Sequence, residues 1–294
     1  MAQTILITGA SSGIGRATAE LFQDKGWNVV ATMLDPGEGR DLARHENVLV
    51  TRLDVTDHRS ISVSVAEAMD RFGEIDVLLN NAGYGSFGPL EFYTMAQIRR
   101  VFETNVLGYY AVAKALLPHF RQRRRGMIIN MSSVLGRGSM PAGSVYCATK
   151  FAIEGLSESL RYELEPLGVM VKIIQSGPVN TRFVEALEYV TDMSVSDYQN
   201  LTTSIFRNLD SYHPGGEAWE VAEAVWAAAT DGTGRLRYPV AGNAEQLLAV
   251  RQTLPDEAYL EHVKRGLGLD RPADPATSAP QSDPSETETV KLVG

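Results

Sequence analysis

Residues 4–22 read TILITGASSGIGRATAELF, and the fold follows from this stretch. The run TILIT (4–8) lacks any alternation of apolar and polar side chains, which is typical of a strand buried on both faces. Glycines and serines then lead directly into a helical pattern. In such a turn Gly9 permits a tight bend, Gly13 a close approach of backbone to a ligand, and Gly15 close packing of helix on strand. Because the turn brings N–H groups and the positive end of a helix to one point, it favours an anion, although a glycine turn without a ligand is the alternative.

Strand-like runs alternate with helical patterns along most of the chain. Apolar runs recur at 28–33, 48–53, 77–80, 127–131 and 169–174, and helical periodicity occupies 60–72, 96–121 and 144–165. Parallel strands covered on both faces by helices produce this alternation. We therefore predict an α/β fold, a doubly wound and mostly parallel sheet of the Rossmann-like type with helices on both faces.

Two segments depart from the alternation. Residues 182–216 form a long connection with apolar side chains throughout, which predicts a helical substrate lid; a pair of amphipathic helices packed on the body is the alternative. Residues 271–294 are rich in Pro, Ser, Thr, Asp and Glu, which predicts a disordered tail. We expect residues 1–270 to form a single domain.

Composition limits the partners. Acidic residues outnumber Lys and Arg by 36 to 27, and the resulting charge of −9 disfavours nucleic acid. No apolar run approaches the roughly 20 residues that span a bilayer. The first residues lack the features of a signal peptide, so we expect a cytoplasmic protein without a membrane span. The single cysteine, Cys147, and five scattered histidines predict neither a disulfide nor a metal site.

The position of the glycine turn indicates its ligand. It lies between the first predicted strand and the first predicted helix, where open α/β sheets bind dinucleotides. A second stretch, GYGSFG (83–88), matches GxGxxG literally, but Pro89 follows it instead of a helix. We therefore predict that 83–88 is a loop along the ligand cleft.

Tyr146 and Lys150 lie four residues apart on a predicted helix and share a face. Ser133 follows the predicted strand 127–131, at the sheet edge where ligands bind. A lysine ammonium favours the phenolate, so we expect Lys150 to lower the pKa of Tyr146 from about 10. Each residue alone is a common structural feature. Together with the glycine turn they predict acid–base chemistry beside a dinucleotide.

These motifs resemble those of the short-chain dehydrogenase/reductase family, in its single-domain branch. They keep the family's order and spacing over roughly the first 180 residues: TGASSGIG (8–15), LDVTD (53–57), NNAG (80–83), ETN (103–105), Ser133 and YCATK (146–150). The resemblance implies an NAD(P)-dependent oxidoreductase that interconverts a secondary alcohol and a ketone. The apolar composition of the lid adds the expectation of an apolar small-molecule substrate, similar to a steroid, a retinoid or an aryl ketone.

The resemblance also implies roles for individual residues. Tyr146 would donate or accept the proton, Lys150 would bind the nicotinamide ribose, and Ser133 together with Tyr146 would orient the substrate. Asn105 would hold a water in a proton relay that reaches Lys150. The cofactor-binding residues implied are Gly9, Ser11, Ser12, Gly13, Ile14, Gly15, Asp54, Val55, Asn81, Ala82, Gly83, Tyr146, Lys150, Gly177, Val179 and Thr181. The resemblance assigns the adenine to the Asp54 side chain and the Val55 backbone.

The end of the second strand bears on the coenzyme. Met33 and Leu34 occupy the discriminating positions, and because neither is acidic we expect a slight preference for NADP over NAD. Asp35 could favour NAD instead, whereas Ser12 and Arg16 could assist a phosphate.

Two further features have competing interpretations. The helical stretches 105–120 and 144–165 are apolar over wide arcs and predict a homodimer or homotetramer; a monomer whose helices are covered by the lid is the alternative. The arginines at 121 and 123–125 lie where a helix is predicted to end, and we expect them to face solvent.

A non-catalytic regulator that senses dinucleotide occupancy is the alternative function. It predicts loss of the catalytic side chains, which are all present. A sugar-nucleotide epimerase or dehydratase of the extended branch fits less well, because the first turn does not match that branch and the chain lacks a large carboxyl-terminal extension.

Overall fold

The structure is a computed structural model that describes residues 2–181, 187–192, 194–212 and 215–270. The predicted tail, 271–294, lies outside the described residues. So do 182–186, 193 and 213–214 of the predicted lid.

Strands and helices alternate as the sequence predicts. The described strands are β1 (Thr4–Thr8), β2 (Asn28–Met33), β3 (Val48–Arg52), β4 (Val77–Asn80), β5 (Ser86–Phe87), β6 (Gly126–Ser133), β7 (Val169–Ser176), β8 (Val179–Asn180), β9 (Glu188–Tyr189), β10 (Gly216–Glu217) and β11 (Arg237–Val240). The described α-helices are α1 (Gly13–Asp24), α2 (His58–Phe72), α3 (Met95–Phe102), α4 (Gly108–Arg123), α5 (Ser144–Leu164), α6 (Gln199–Tyr212), α7 (Ala218–Thr230), α8 (Ala244–Thr253) and α9 (Asp256–Gly266).

Seven of these strands form one sheet in the order β11-β7-β6-β4-β1-β2-β3. Every neighbouring pair in it is parallel. The strand order reverses direction at β1, where Leu6 lies between Val30 of β2 and Leu78 of β4. Thr8 links the end of β1 to the segment after β4, because its Oγ1 accepts hydrogen bonds from the N–H groups of Asn81 and Ala82 at 2.9 and 3.0 Å. Such a switch point opens a crevice at the carboxyl ends of the strands.

Helices cover both faces of the sheet. On one face α1 and α7 pack over the strands, with Phe22, Trp27 and Trp226 in edge-to-face contact. On the other face α2 and α4 bury residues such as Ile61 and Leu116 against the sheet. The predicted α/β, Rossmann-like fold class is therefore confirmed.

Two elements differ from the sequence prediction. The predicted helix 96–121 is divided by a π-helical turn over Glu103–Leu107, which separates α3 from α4. Such turns insert one residue into a helix without a marker in its periodicity. The seventh strand, β11, was absent from the prediction and pairs with β7 at the sheet edge.

The prediction that the arginine cluster faces solvent is wrong for one of its members, Arg123, which is 19% exposed and lies 2.9 Å from Asp76. Arg125 is 60% exposed, as predicted, but it also lies 2.5 Å from the same carboxylate. Asp76 is buried and also accepts a hydrogen bond from Thr4 N at 2.9 Å. These arginines tie the amino end of β1 to the loop before β4. Helix-end position alone did not reveal the buried acid.

Within the described ranges, no helix combines the length and the apolar character needed to cross a bilayer.

Candidate active site

A cavity of about 1270 Å³ opens where the carboxyl ends of β1, β4, β6 and β7 meet. Typical small-molecule sites occupy roughly 300–1,000 Å³. The cavity is therefore large enough for two ligands side by side.

The glycine turn forms one end of this cavity. Gly9 and Gly13 have φ angles of +71° and +55°, which a side chain would strain. A Cβ at Gly15 would lie 2.2 Å from the carbonyl oxygen of Gly9, so only glycine lets α1 approach β1 this closely. Ser12 begins α1 without a side-chain cap, and the first turn holds no acidic residue. The N–H groups of this turn therefore fit a diphosphate.

The predicted cofactor residues converge on the same cavity. All of them line it except Gly15, which packs beneath the turn against Gly9. The amide of Asn81 donates hydrogen bonds to the carbonyl oxygens of Thr8 and Gly9, at 2.9 and 3.0 Å, and so joins the two loops. Asp54 also lines the cavity, where its carboxylate accepts the N–H of Thr56 at 2.9 Å.

Tyr146 reaches the cavity from the first turn of α5. It is buried, and its ring lies 5.3 Å from the ring of Phe87. Burial raises the pKa of the Tyr146 hydroxyl above its ordinary value, and the nearby thiol of Cys147 adds to this effect. The direction is opposite to the sequence-based expectation, because desolvation of the phenolate depends on tertiary packing. In the chain without a ligand, Tyr146 is therefore protonated at neutral pH.

Lys150 lies one turn further along α5 and also lines the cavity. Its Nζ donates a hydrogen bond to the carbonyl oxygen of Met131 at 3.0 Å. Nζ lies 5.7 Å from the ring centroid of Tyr146 and 5.9 Å from that of Tyr109. Burial lowers the pKa of Lys150 to about 8, while the charge of Glu154 acts in the opposite direction. The ammonium is thus still mostly protonated near pH 7, but it loses its proton at a much lower pH than an exposed lysine does.

Ser133, the last residue of β6, lines the cavity beside Tyr146. Its hydroxyl donates to the carbonyl oxygen of Ser176 at 3.2 Å and accepts the N–H of Leu135 at 3.2 Å. The strand end and the following turn therefore fix the hydroxyl at the cavity wall.

Asn105 lies in the π-helical turn and is buried behind the cavity wall. Its amide accepts the N–H of Tyr84 at 3.0 Å and donates to the carbonyl oxygen of Tyr84 at 2.8 Å. The amide thereby holds the loop after β4 in place. The water relay to Lys150 stays a prediction.

The other end of the cavity is mainly apolar. The side chains that line it beyond Tyr146 include Phe87, Met140, Pro141, Leu187, Tyr189 and Ile205. Gly83, Tyr84, Phe87 and Gly88 place the segment 83–88 along the cleft, as predicted, but it contains the short strand β5 and is not wholly a loop. Sequence reasoning missed Met140 and Pro141. Their place between Ser133 and Tyr146 was the available signal, because a chain that joins two site residues must pass the site.

Part of the predicted lid lies over this apolar end. Strand β9 pairs with β5 and directs Leu187 and Tyr189 to the cavity. Glu188, between them, accepts hydrogen bonds from Arg100 and Gln97 of α3 at 2.7 and 3.2 Å. These contacts hold β9 against the body of the chain.

The end of β2, where the sequence predicts the coenzyme preference, also reaches the cavity. Leu34 is 66% exposed and lines the cavity together with Glu38. Asp35 turns its carboxylate to Gly37 N at 2.8 Å and caps its own turn. Arg16 pairs with Asp41 and Glu20 and does not line the cavity, and its help to a phosphate stays a prediction.

Comparison with known proteins identifies related sequences. A family model described as short chain dehydrogenase matches residues 3–190. An uncharacterized oxidoreductase of Schizosaccharomyces pombe is 41% identical over 81% of this chain and 100% of its own length. Retinol dehydrogenase 8 of Bos taurus is 39% identical over 70% of this chain and 69% of its own length. The 17-beta-hydroxysteroid dehydrogenase type 1 of Mus musculus is 40% identical over 62% of this chain and 56% of its own length.

Solved structures share the fold. A short-chain dehydrogenase from Streptomyces avermitilis has a TM-score of 0.79 and 32% identity, and covers 92% of this chain and 98% of its own. ElxO with NADP bound has a TM-score of 0.68 and 26% identity over 81% of this chain and 98% of its own. A short chain dehydrogenase/reductase from Burkholderia phymatum in complex with NAD has a TM-score of 0.74 and 26% identity over 88% and 95%. Neighbours of this fold therefore hold NADP or NAD.

Proposed function

Since the chain belongs to the short-chain dehydrogenase family of nicotinamide-dependent oxidoreductases, we propose that it interconverts a secondary alcohol and a ketone on an apolar small molecule. The observation that carries the proposal is the meeting of two features at one cavity. The glycine turn forms one part of its wall, and Tyr146, Lys150 and Ser133 form another.

The residues of the chain divide the work of the reaction. The bound nicotinamide supplies the hydride acceptor or donor. In the reducing direction the Tyr146 hydroxyl donates its proton to the carbonyl oxygen, and its raised pKa keeps it in the donor form. The Lys150 ammonium stabilises the phenolate that remains, and Ser133 Oγ holds the substrate oxygen. In the oxidising direction the same phenolate accepts the alcohol proton.

An apolar substrate fits the far end of the cavity. Leu187, Tyr189 and Ile205 of segment 182–216 line that end, which supports a lid function for the segment. Relatives named for retinol and for a hydroxysteroid add support. We propose a steroid-, retinoid- or aryl-ketone-like substrate, bound with its oxygen at Tyr146.

For the coenzyme we propose NADP, with NAD as the alternative. Leu34 presents no charge, and the carboxylate of Asp35 is occupied as a cap. Glu38 opposes a phosphate at the same wall, so Glu38→Gln should tighten NADPH binding and leave NADH binding unchanged. Titration of both proteins with NADPH and NADH by fluorescence tests this. Tighter binding of NADH by the wild type would reverse the choice.

Self-association through α4 and α5 is also part of the proposal. Leu107, Tyr110 and Phe151 are exposed apolar side chains on or beside these helices. A homodimer or homotetramer would cover them. Light scattering on the purified protein measures the assembly, and a monomeric mass would overturn this part.

Substitution of Tyr146 tests the catalytic assignment. Tyr146→Phe removes the proton donor and keeps the ring, so kcat should fall about a thousandfold while coenzyme affinity is kept. The assay uses a panel of apolar ketones with the preferred coenzyme. Coenzyme binding without turnover of any ketone by the wild type would favour the dinucleotide-sensing regulator instead.

A further inference from the structure

Glu154 is a buried carboxylate without a role in the reaction described above. It is 4% exposed and lies on α5, one turn beyond Lys150. Tyr146, Lys150 and Glu154 thus follow one another at intervals of four residues, which places successive members on one side of the helix. A buried carboxylate beside a buried ammonium has a strong effect on which form of the ammonium persists.

Two donors from neighbouring strands hold Glu154 in place. Gln175 of β7 donates its Nε2 hydrogen to Oε1 at 3.0 Å, and Arg237 of β11 donates its Nε hydrogen to Oε2 at 2.9 Å. Both carboxylate oxygens therefore have a partner. The contact with the guanidinium of Arg237 is a charge-assisted hydrogen bond.

Close packing excludes solvent from this part of α5. The 3₁₀ turn Val134–Gly136 lies directly against the helix. A Cβ at Gly136 would lie 3.0 Å from Glu154 Cγ and 3.0 Å from the carbonyl oxygen of Lys150. Because both charged residues are buried, solvent screens their interaction weakly.

We propose that Glu154 is a positioning residue of this active site, whose fixed negative charge keeps the Lys150 ammonium protonated and so sets the upper end of the pH range in which Tyr146 can act. The proposal rests on the function proposed above, in which Lys150 acts on Tyr146. Burial already brings the pKa of Lys150 to about 8, so the lysine has little reserve if the carboxylate is removed.

The groups that face Lys150 come from several elements. The titratable ones are Tyr146 and Glu154 on its own helix and Tyr109 on α4. The strand under α5 contributes a neutral group, the Met131 carbonyl, which accepts the hydrogen bond from Nζ. Arg237 acts through Glu154, which it contacts directly. Among these groups, Glu154 is accordingly the negative charge that most stabilises the ammonium form of Lys150.

Glu158 provides a matched control on the same helix. It is another glutamate bound by Arg237, and it also lies 3.6 Å from Arg137, but it is 48% exposed and one turn further from Lys150. Glu154→Gln and Glu158→Gln therefore remove the same charge and one contact of the same arginine. They differ in distance from Lys150 and in exposure to solvent.

The test is the pH profile of kcat/KM for ketone reduction by the full chain. Wild-type activity should fall on the alkaline side as Lys150 loses its proton. In Glu154→Gln this alkaline limb should move to lower pH by about one unit, and at pH 8 the loss should appear in kcat more than in KM. Glu158→Gln should keep the limb at the wild-type pH. A structural role for Glu154 would lower the melting temperature without moving the limb.

Glu154→Asp keeps the test decisive if the glutamine variant does not fold. It retains the charge but withdraws it from Lys150, so its limb should lie between those of wild type and Glu154→Gln. A limb at the wild-type pH in every folded Glu154 variant, or an equal shift in Glu158→Gln, overturns the proposal. Loss of turnover in Tyr146→Phe is measured separately, so failure of the proposed function is distinguishable.

Discussion

Lys150 at the cavity and Lys172 at the sheet edge are both buried lysines that lie over a buried tyrosine ring. Lys150 Nζ lies 5.7 Å from the ring centroid of Tyr146, and Lys172 Nζ lies 5.2 Å from that of Tyr238. All four side chains are buried. The two pairs are thus alike in residue type, separation and burial, yet only the first lines the cavity.

A carboxylate distinguishes the pairs. Lys172 Nζ donates to Asp231 Oδ1 at 2.6 Å and to the Tyr238 hydroxyl at 2.9 Å, and that hydroxyl donates to Asp231 Oδ2 at 2.6 Å. This closed triangle ties β7 and β11 to the end of α7. Lys150 Nζ instead donates to a neutral carbonyl, that of Met131. A direct carboxylate partner makes a lysine–tyrosine pair structural, whereas a pair held by a neutral acceptor beside a cavity can take part in chemistry.

Replacement of each lysine by methionine should break the two pairs with opposite results. Lys150→Met removes the ammonium that stabilises the phenolate, so kcat should fall about a thousandfold. Its melting temperature should not fall, because the buried ammonium donates to a carbonyl and not to a carboxylate, and Glu154 keeps its donors Gln175 and Arg237. Steady-state kinetics and thermal unfolding measure the two effects.

Lys172→Met is the control for that experiment. It leaves Asp231 without its cation, so the free energy of unfolding should fall by about 2 kcal/mol. This is less than for a fully buried pair, because the Asp231 side chain is 24% exposed. Turnover per folded molecule should be unchanged. A large loss of turnover in Lys172→Met would contradict the distinction between the pairs.

Local spacing accounts for what the sequence predicted about the site. Tyr146 and Lys150 are neighbours because a helix brings residues four apart together, and Gly9, Gly13 and Gly15 act within one turn. The alternation of apolar runs with helical patterns likewise predicts the parallel sheet. These features need no knowledge of distant contacts, and the structure places them at one cavity.

Contacts between distant residues account for what the sequence did not reveal. Asp231 is 59 residues from Lys172, and Arg237 is 83 residues from Glu154. The second contact depends on β11, the strand that the pattern missed, and Tyr238 of the same strand adds a hydrogen bond to the first. The pKa of Tyr146 shows the same limit, because its direction follows from burial among residues far apart in the chain and not from the neighbouring lysine.

Lys150 and Asp231 should also make the free energy of unfolding depend on pH, each in a different pH range. Burial lowers the folded-state pKa of Lys150 to about 8 from 10.5, so its charged form costs stability below pH 8, and that cost is relieved as pH rises. Wild type should therefore gain about 2 kcal/mol of unfolding free energy relative to Lys150→Met between pH 8 and 10. Denaturant unfolding at each pH measures the difference. A constant difference across this window would contradict the assignment.

The free energy of unfolding should depend on the Lys172–Tyr238–Asp231 triangle in acid. Burial raises the pKa of Asp231, but hydrogen bonds from Lys172 and Tyr238 outweigh it and hold that pKa below the ordinary value of 3.8. Its contribution to stability is therefore complete above about pH 4 and is lost as pH falls further. In Lys172→Met the loss of unfolding free energy between about pH 4 and lower pH should be smaller than in the wild type.

The smallest expected effect comes from removing the Tyr238 hydroxyl. Tyr238→Phe deletes one acceptor for Lys172 and one donor to Asp231, while the direct contact between Lys172 and Asp231 at 2.6 Å remains. The free energy of unfolding should fall by about 1 kcal/mol, and kcat should be unchanged. The same substitution at Tyr146 should lower kcat about a thousandfold with little change in stability. Because the two variants lose one hydroxyl from one kind of side chain, any difference between them reports the surroundings alone. Equal loss of turnover in both would show that the triangle at β11 also supports the reaction.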